Sequence, residues 1–274
     1  MNQLSLYFFG EPRHLAATRV FRKALYALLL YRILVGLRHF DDLFGVNSLI
    51  YTKHISLSGV KDLVYLLNIY ELPWLRLSFL IAGGIICLAG IFNRQSFVTN
   101  VLLALVIYNI HSYLYSALTA GDYLLNMMVF FNCFLYTKPR KNIVLNELST
   151  AAHNASLLAL KIQVCLAYVL AAYYKLGDNS WLHGEAVFRS FQADVYSSHL
   201  LHLIPHGVAV CMNYAVIAYQ GLFAGLVWIK PLKKWILWLG VAQHLFIAFG
   251  MGLMSFGFTM IISYLLFPDF TKKD

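Results

Sequence analysis

An apolar run that ends at a single lysine decides how this chain folds. Residues 168–184 read YVLAAYYKLGDNSWLHG, so seven uncharged residues lead to Lys175 and a Gly-Asp-Asn turn follows. Extended upstream, the run predicts a membrane-spanning helix over residues 157–174. A lysine at the end of such a helix commonly reaches to the membrane interface with its ammonium group. A lysine amine in a poorly solvated pocket is instead a usable general base. Both interpretations of Lys175 are open at this point.

The composition is that of a membrane protein without a soluble domain. Of the 274 residues, 60% are hydrophobic and 12% are charged, whereas soluble domains have about 25% charged residues. The net charge of +9 lies in short basic clusters between apolar runs, a distribution that orients membrane proteins and does not favour nucleic-acid binding. All four cysteines fall inside apolar runs without a CxxC pair, so we expect no disulfide and no metal site. The N-terminus has no cleavage-site pattern, and we expect the first span to be retained.

The pattern of apolar runs predicts an all-α fold. We expect a polytopic membrane bundle of about eight transmembrane helices, formed by a single domain over residues 1–274, because lipid leaves no backbone group unpaired. Residues 1–23 are predicted to form an interfacial segment on the cytoplasmic side. The predicted spans cover residues 24–40, 74–92, 97–120, 121–136, 157–174, 207–229, 235–249 and 252–267.

The basic residues predict the orientation of these spans. In the eight-span arrangement every basic cluster falls on one side of the membrane, which is the cytoplasmic side by the positive-inside rule. Both termini are therefore predicted to be cytoplasmic. The loops at residues 41–73 and 175–206 are predicted to lie outside, together with the turn at Gly121. Beyond the N-terminal cluster, the residues concerned are Arg94, Lys138, Arg140, Lys141, Lys230, Lys233, Lys234, Lys272 and Lys273.

Ionisable residues inside predicted spans are costly in lipid, so each is a candidate functional residue. Arg32 lies in the first span, with a structural ion pair as the alternative. His111 lies in the third, one helical turn from Tyr115 and close to Asn109, with a hydrogen-bonded core histidine as the alternative. Asp122 begins the next segment and is predicted to cap its helix.

The fifth span carries a polar face. Lys161, Tyr168 and Lys175 are spaced by seven residues and share one side of the helix. Lys175 and His111 are expected at similar depth near the outer surface, and two titratable groups at one depth favour a catalytic site. His244 in the seventh span is a weaker third candidate for the same pocket. The loop histidines His199, His202 and His206 could share a helical face and bind a metal, but no nearby carboxylate or cysteine completes the set, so interfacial histidines are favoured.

Two of these stretches carry a family resemblance. NIHSYLY at residues 109–115 resembles a motif of the vitamin K-dependent gamma-carboxylases, and the run from Tyr168 to Gly184 is similar to the segment around their lysine base. RILVG at residues 32–36 resembles their first-span motif, while His206 and the region around Ser255 fit more loosely. Together these motifs identify the chain as a member of the horizontally transferred transmembrane (HTTM) domain family, with a resemblance that covers nearly the whole sequence.

The resemblance implies a membrane-embedded enzyme whose active face is extracytoplasmic. Lys175 would deprotonate a reduced quinone-type cofactor, whose reaction with O2 yields a stronger base, and CO2 is the further reactant in the carboxylases. His111 would position or stabilise the reacting species. The surrounding pocket would include Arg32, Asn109, Tyr115, Asp122, Tyr168, Trp181, His206 and His244.

The sequence also departs from the carboxylases, and the departures bear on the substrate. Tyr174 replaces the first of two adjacent lysines, Ile110 replaces an asparagine, and the large lumenal portion that recruits clotting factors is expected to be missing. Short bacterial members resemble a membrane protein that matures a secreted peptide toxin. We therefore expect a secreted peptide or small molecule as substrate, a possible partner subunit, and a bacterial inner membrane. The alternative is a non-catalytic factor for peptide-toxin maturation, immunity or export.

Overall fold

A computed structural model describes residues 3–45, 48, 73–114, 117–135, 141–193 and 200–268, and in these ranges all regular structure is helical. A 3-10 turn covers Leu201–Leu203. The α-helices are α1 Gln3–Phe9, α2 Leu15–Arg38, α3 Phe40–Phe44, α4 Pro73–Ile91, α5 Phe97–Tyr113, α6 Ala120–Asn132, α7 Ile143–Leu176, α8 Asn179–Leu182, α9 Ala186–Gln192, α10 His206–Leu226, α11 Lys230–Gly250 and α12 Met254–Tyr264.

Three of the described helices are long and apolar enough to cross a membrane. They are α4, α7 and α10, and two shorter helices, α5 and α12, are also apolar. At 1.5 Å per residue, a helix needs about 20 apolar residues to cross a hydrocarbon core of about 30 Å. The all-helical class and the membrane character predicted from the sequence are confirmed at this level.

The chain divides into two compact units, the first running to Leu157 and the second from Leu158 to Pro268. In the first unit, α2 packs against α4. The other side of the arrangement continues through contacts of α4 with α5 and of α5 with α6. Small residues allow the close approach of α2 and α4: a Cβ atom on Gly90 would lie 2.6 Å from the ring of Tyr26. The N-terminal segment is attached to α7 through Asn154. The side chain of this residue hydrogen-bonds backbone groups at the end of α1 and in the turn that follows α1.

In the second unit, α11 packs against α12, and α10 packs on both α9 and α11. A Cβ atom on Gly257 would lie 2.5 Å from the carbonyl oxygen of His244, so the backbones of α12 and α11 touch at this point. Val187, Phe191, Leu201 and Ala209 form a buried apolar cluster where α9 meets α10.

The helix boundaries differ from the predicted spans in two places that have a clear cause. The predicted third span runs through residues 97–120, but α5 ends at Tyr113, and α6 begins at Ala120. A capping box between Thr119 and Asp122 starts this second helix. The predicted fifth span begins at residue 157, whereas α7 begins 14 residues earlier. The number of eight spans and the positions of the termini remain predictions, and Lys138, Arg140, Lys272 and Lys273 lie outside the described residues.

Candidate functional site

The amine of Lys175 lies over the ring of Trp181 at the end of α7. Its Nζ atom is 4.6 Å from the ring centroid, within the range of a cation–π contact. The side chain of Lys175 is half-buried. No carboxylate in the described parts of the chain forms an ion pair with it. Within the described ranges, an aromatic face shields the lysine and no acid neutralises it.

The turn after Lys175 is built around Asp178. Its Oδ1 atom accepts hydrogen bonds from the backbone N–H of Ser180 at 2.7 Å and from the Ser180 hydroxyl, and so caps α8. The Ser180 hydroxyl and N–H hold the pKa of the Asp178 carboxyl below its usual value. Gly184 has φ of +79°, a left-handed conformation that suits glycine. The Gly-Asp-Asn stretch thus folds the chain back so that Trp181 faces Lys175, and Gly184 turns the chain again after Trp181.

Two contacts fix Trp181 in the second unit. Asn213 on α10 donates its side-chain N–H to the Trp181 carbonyl at 2.8 Å, and the Trp181 ring packs on the apolar cluster between α9 and α10. Asn213 is fully buried. It was not among the sequence candidates, although an asparagine inside the apolar run of residues 208–218 is a usable signal.

Tyr168 lies two turns before Lys175 on the same face of α7 and anchors a buried polar cluster. Its hydroxyl is 2.7 Å from His244 Nε2 on α11 and hydrogen-bonds the hydroxyl of Tyr264 on α12. Its ring packs on Phe223 and Tyr219 of α10, with centroids 4.2 Å and 5.6 Å apart. Tyr168 therefore connects α7 to three other helices. The sequence predicted Tyr168 and His244 as site residues but missed Tyr264.

A second group of predicted residues comes together in the first unit. Arg32 on α2 forms an ion pair with Asp122 on α6. The other carboxylate oxygen of Asp122 accepts from Thr119 N–H at 2.7 Å and from the Thr119 hydroxyl at 2.8 Å. The predicted capping role of Asp122 is therefore seen, and the ion pair considered for Arg32 is present.

His111 belongs to the same group. It is buried, and its Nδ1 atom is 2.6 Å from Oδ1 of Asn126 on α6. Arg32 and Asp122 both interact with it electrostatically. Asn126, which lies in the apolar stretch of α6, is not among the residues predicted from the sequence. Its hydrogen bond identifies His111 as a residue held in one orientation.

An apolar groove of about 470 Å³ runs along the surface between α5 and α6. Its walls are almost entirely aliphatic and aromatic, and Asn126 is the main polar side chain among them. Asn126 lines the groove and is also hydrogen-bonded to His111, so it connects the two. Small-molecule sites typically have volumes of about 300–1,000 Å³ and a few polar groups in an apolar lining.

The remaining predicted residues are placed as follows. Asn109 is half-buried on α5. His206 is exposed at the start of α10, where its Nε2 atom lies 2.8 Å from Glu185 Oε1. Tyr115 lies outside the described residues. In the described residues, no group of three or more histidine, cysteine, aspartate and glutamate side chains is arranged to hold a metal ion.

The predicted site thus falls into two sets of contacts, each inside one unit. His111, Arg32 and Asp122 come together in the first unit, and Lys175, Trp181, Tyr168 and His244 in the second. A pocket shared by His111 and Lys175 remains a prediction. No family model, curated protein or solved structure matches this chain.

Proposed function

We propose that this chain is an integral membrane enzyme of the HTTM type that modifies a secreted peptide or small molecule at the extracytoplasmic face. Lys175 is the general base, and a reduced quinone-type lipid is the cofactor. When bound, the cofactor would supply a stronger base through its reaction with O2, and CO2 is a candidate co-reactant. His111, whose ring is hydrogen-bonded to Asn126, is the second proposed catalytic residue, as the resemblance implies.

The observation that carries this proposal is the environment of Lys175. Its amine is half-buried at the end of a candidate membrane-spanning helix and pairs with no carboxylate in the described parts of the chain. A lysine without an acidic partner is the one that can give up its proton and act as a base. The motif around it, which resembles the segment around the carboxylase lysine, supports the same role.

The groove between α5 and α6 supports a lipophilic cofactor. It is apolar, opens to the surface of the first unit, and has Asn126 in its wall. The lining includes Leu105 and Phe130, which suit an isoprenoid or similar tail, and Asn126 is the polar group it offers to the ring of a cofactor.

The proposed topology has about eight spans, both termini in the cytoplasm and the Lys175 turn outside, in a bacterial inner membrane. Labelling of Ser180→Cys with a membrane-impermeant thiol reagent on intact cells tests it, in a background where the exposed Cys211 is replaced by serine. Labelling from outside is expected. Protection of the Ser180→Cys thiol, with labelling only after the cells are opened, contradicts the orientation.

A pair of substitutions at Lys175 tests the catalytic role. Lys175→Arg keeps a cation that can stack over Trp181, but arginine does not deprotonate in proteins. Lys175→Ala removes both properties. Under the proposal both variants lose the modification, measured by mass spectrometry of secreted peptides from cells with and without the protein. Membrane insertion and thermal stability of Lys175→Arg should match the wild type.

The alternative function is a non-catalytic membrane factor for peptide maturation, immunity or export. The cation–π contact favours it, because an aromatic face stabilises the ammonium form of Lys175 as an anchor. If Lys175→Arg keeps full biological activity while Lys175→Ala loses it, Lys175 is an anchor and the base assignment is wrong. Quinone recovered by solvent extraction of the purified protein supports the enzyme.

A further inference from the structure

Three lysines at the start of α11 form a compact basic cluster. They are Lys230, Lys233 and Lys234, and between Asp194 and Asp269 the sequence has no other lysine or arginine and no acidic residue. Lys230 and Lys234 are exposed, and Lys233 is half-buried. Within the described ranges, none of the three forms an ion pair. No described carboxylate therefore balances the positive charges of the basic cluster.

The position of the basic cluster on α11 is unfavourable for the helix itself. Lys230 and Lys234 are four residues apart and so lie on one face, where like charges destabilise a helix. Cations are also unfavourable at the beginning of a helix, because this end of the helix dipole is positive. The first turn of α11 has no acidic residue that offsets either effect. The arrangement does not serve the stability of α11, so an anion outside the chain explains it better.

The exposed side of α11 changes from charged to apolar directly after the basic cluster. Trp235 and Trp238 are 71% and 62% exposed. The exposed residues that follow them to the end of the helix are Leu239, Ala242, Leu245 and Phe249. Tryptophan is enriched where the headgroups of a membrane meet its hydrocarbon core. The order of lysines, tryptophans and then apolar residues is therefore the order of a surface that faces lipid across a membrane interface.

Trp228 connects the same surface to the end of another helix. It lies in the turn between α10 and α11 and is 46% exposed. Its ring packs on that of Phe267, with centroids 5.9 Å apart, and Phe267 comes shortly after α12, which ends at Tyr264. The end of α10, the start of α11 and the end of α12 therefore lie together. Since α10 is a candidate membrane-spanning helix, we expect these ends at a membrane surface.

We propose that the start of α11 binds the headgroup of an anionic phospholipid. The ammonium groups of the basic cluster attract the phosphate and the net negative charge of the headgroup, and Trp235 and Trp238 contact the upper part of the acyl chains. A lipid suits this surface better than an acidic protein, because the exposed residues beyond the lysines are apolar and match acyl chains. This inference goes beyond the proposed function and does not depend on the chemistry of Lys175.

Quenching of tryptophan fluorescence by brominated lipids tests the site in the full chain reconstituted into vesicles. Three of the five tryptophans lie at this surface, and bromine on an acyl chain quenches an indole only at short range. The vesicles contain equal amounts of phosphatidylglycerol and phosphatidylcholine, and either one lipid or the other is brominated. We expect brominated phosphatidylglycerol to quench more, with a relative binding constant several-fold above that of phosphatidylcholine. Equal quenching by the two lipids overturns the proposal and leaves an acidic protein as the partner of the lysines.

Two triple variants assign the preference to the basic cluster. Replacement of Lys230, Lys233 and Lys234 by glutamine removes the charges and should make the two lipids quench equally. Replacement of all three by arginine keeps the charges and should keep the preference. A preference that survives the glutamine variant overturns the role of the lysines. Circular dichroism and melting temperatures check that both variants fold, as expected for side chains that are exposed or half-buried.

A matched variant separates this surface from the general attraction of a basic protein for anionic lipid. Arg19→Gln, Arg94→Gln and Lys141→Gln together remove the same number of charges at exposed positions of the first unit. This variant should keep the preference, and equal losses in the two glutamine variants overturn the site. Added salt should weaken the wild-type preference, because salt screens exposed charges over about 8 Å at physiological ionic strength. A preference that salt does not change contradicts binding through the lysines.

Discussion

Arg32 and Asp122 form an ion pair between α2 and α6 although 90 residues separate them in the chain. The two carboxylate oxygens of Asp122 have different partners: Oδ1 contacts Arg32, and Oδ2 accepts from the N–H and the hydroxyl of Thr119. One side chain thus starts α6 and attaches it to α2. His111 lies within electrostatic range of this pair, so the pair contributes to the surroundings of the first-unit site.

Replacement of Asp122 should destabilise the first unit. Asp122→Ala removes the cap and leaves Arg32 without its carboxylate, for an expected loss of about 2–4 kcal/mol in the free energy of unfolding. Asp122→Asn keeps an acceptor for Thr119 and should lose less. Denaturant unfolding in detergent measures both. Arg32→Gln in the Asp122→Ala background should cost little further, because the pair is already broken; equal costs in both backgrounds would show that the two residues do not interact.

Gly240 on α11 should not tolerate a methyl group. A Cβ atom there would lie 2.2 Å from the Tyr219 hydroxyl and 2.7 Å from the Tyr264 hydroxyl. We expect Gly240→Ala to lower stability by about 1–3 kcal/mol, as overpacking does. Gly221→Ala and Gly225→Ala on α10 are the matched controls, since nothing lies within 4 Å of a Cβ atom at either position. They should be neutral or stabilising by up to about 1 kcal/mol. Equal melting temperatures for Gly240→Ala and its controls would contradict the packing described.

Asn154 should hold the N-terminal helix against α7. Its Nδ2 atom lies 3.1 Å from the carbonyl oxygens of Tyr7, Phe8 and Glu11, and its Oδ1 accepts from Arg13 N–H at 2.9 Å. Asn154→Leu removes all of these bonds, so we expect trypsin to cut after Arg13 several-fold faster than in the wild type. Glu147→Ala, at an exposed position of the same helix, is the control and should leave the cleavage rate unchanged. An unchanged rate in Asn154→Leu would contradict the attachment.

The Asp178 cap should depend on pH in the acid range. Because hydrogen bonds from Ser180 lower its pKa below 3.8, the folded turn binds this proton less readily than the unfolded chain. The contribution of the cap is therefore complete above pH 3.8 and is lost as the pH falls through the lower pKa of the folded state. Hydrogen exchange of the Ser180 and Trp181 amides should rise in that window beyond its intrinsic pH dependence. Asp178→Asn should show no such rise, and identical profiles would rule out the titration.

The sequence allowed the span-forming helices and several site residues to be found, for identifiable reasons. Apolar runs longer than 18 residues have few alternatives to a helix in lipid, and the predicted span at residues 207–229 is close to the observed α10. A spacing of seven places Tyr168 and Lys175 on one face of any α-helix. These predictions depend on local geometry alone.

The partners of these residues could not be found in the same way. Asn126, Asn213 and Tyr264 become part of the candidate sites only through contacts between helices, and periodicity does not say which helices are neighbours. The start of α7 was also missed, since residues 143–156 contain polar side chains such as Asn154 that resemble a loop until their hydrogen bonds to the N-terminal segment are seen. Tertiary packing decides both cases.

The polar residues of α7 are separated by a length that can be compared with the thickness of a bilayer. From Asn154 to Lys175 the helix rises 21 residues, about 32 Å, which is close to the hydrocarbon thickness of about 30 Å. Between these two residues the sequence has one charged side chain, Lys161. With α7 as a membrane-spanning helix, we expect a thinner bilayer to tilt it or expose the Lys175 amine to water, and a thicker one to submerge one of its polar ends. The acyl-chain length of the surrounding lipids is then expected to set the hydration of the Lys175 amine.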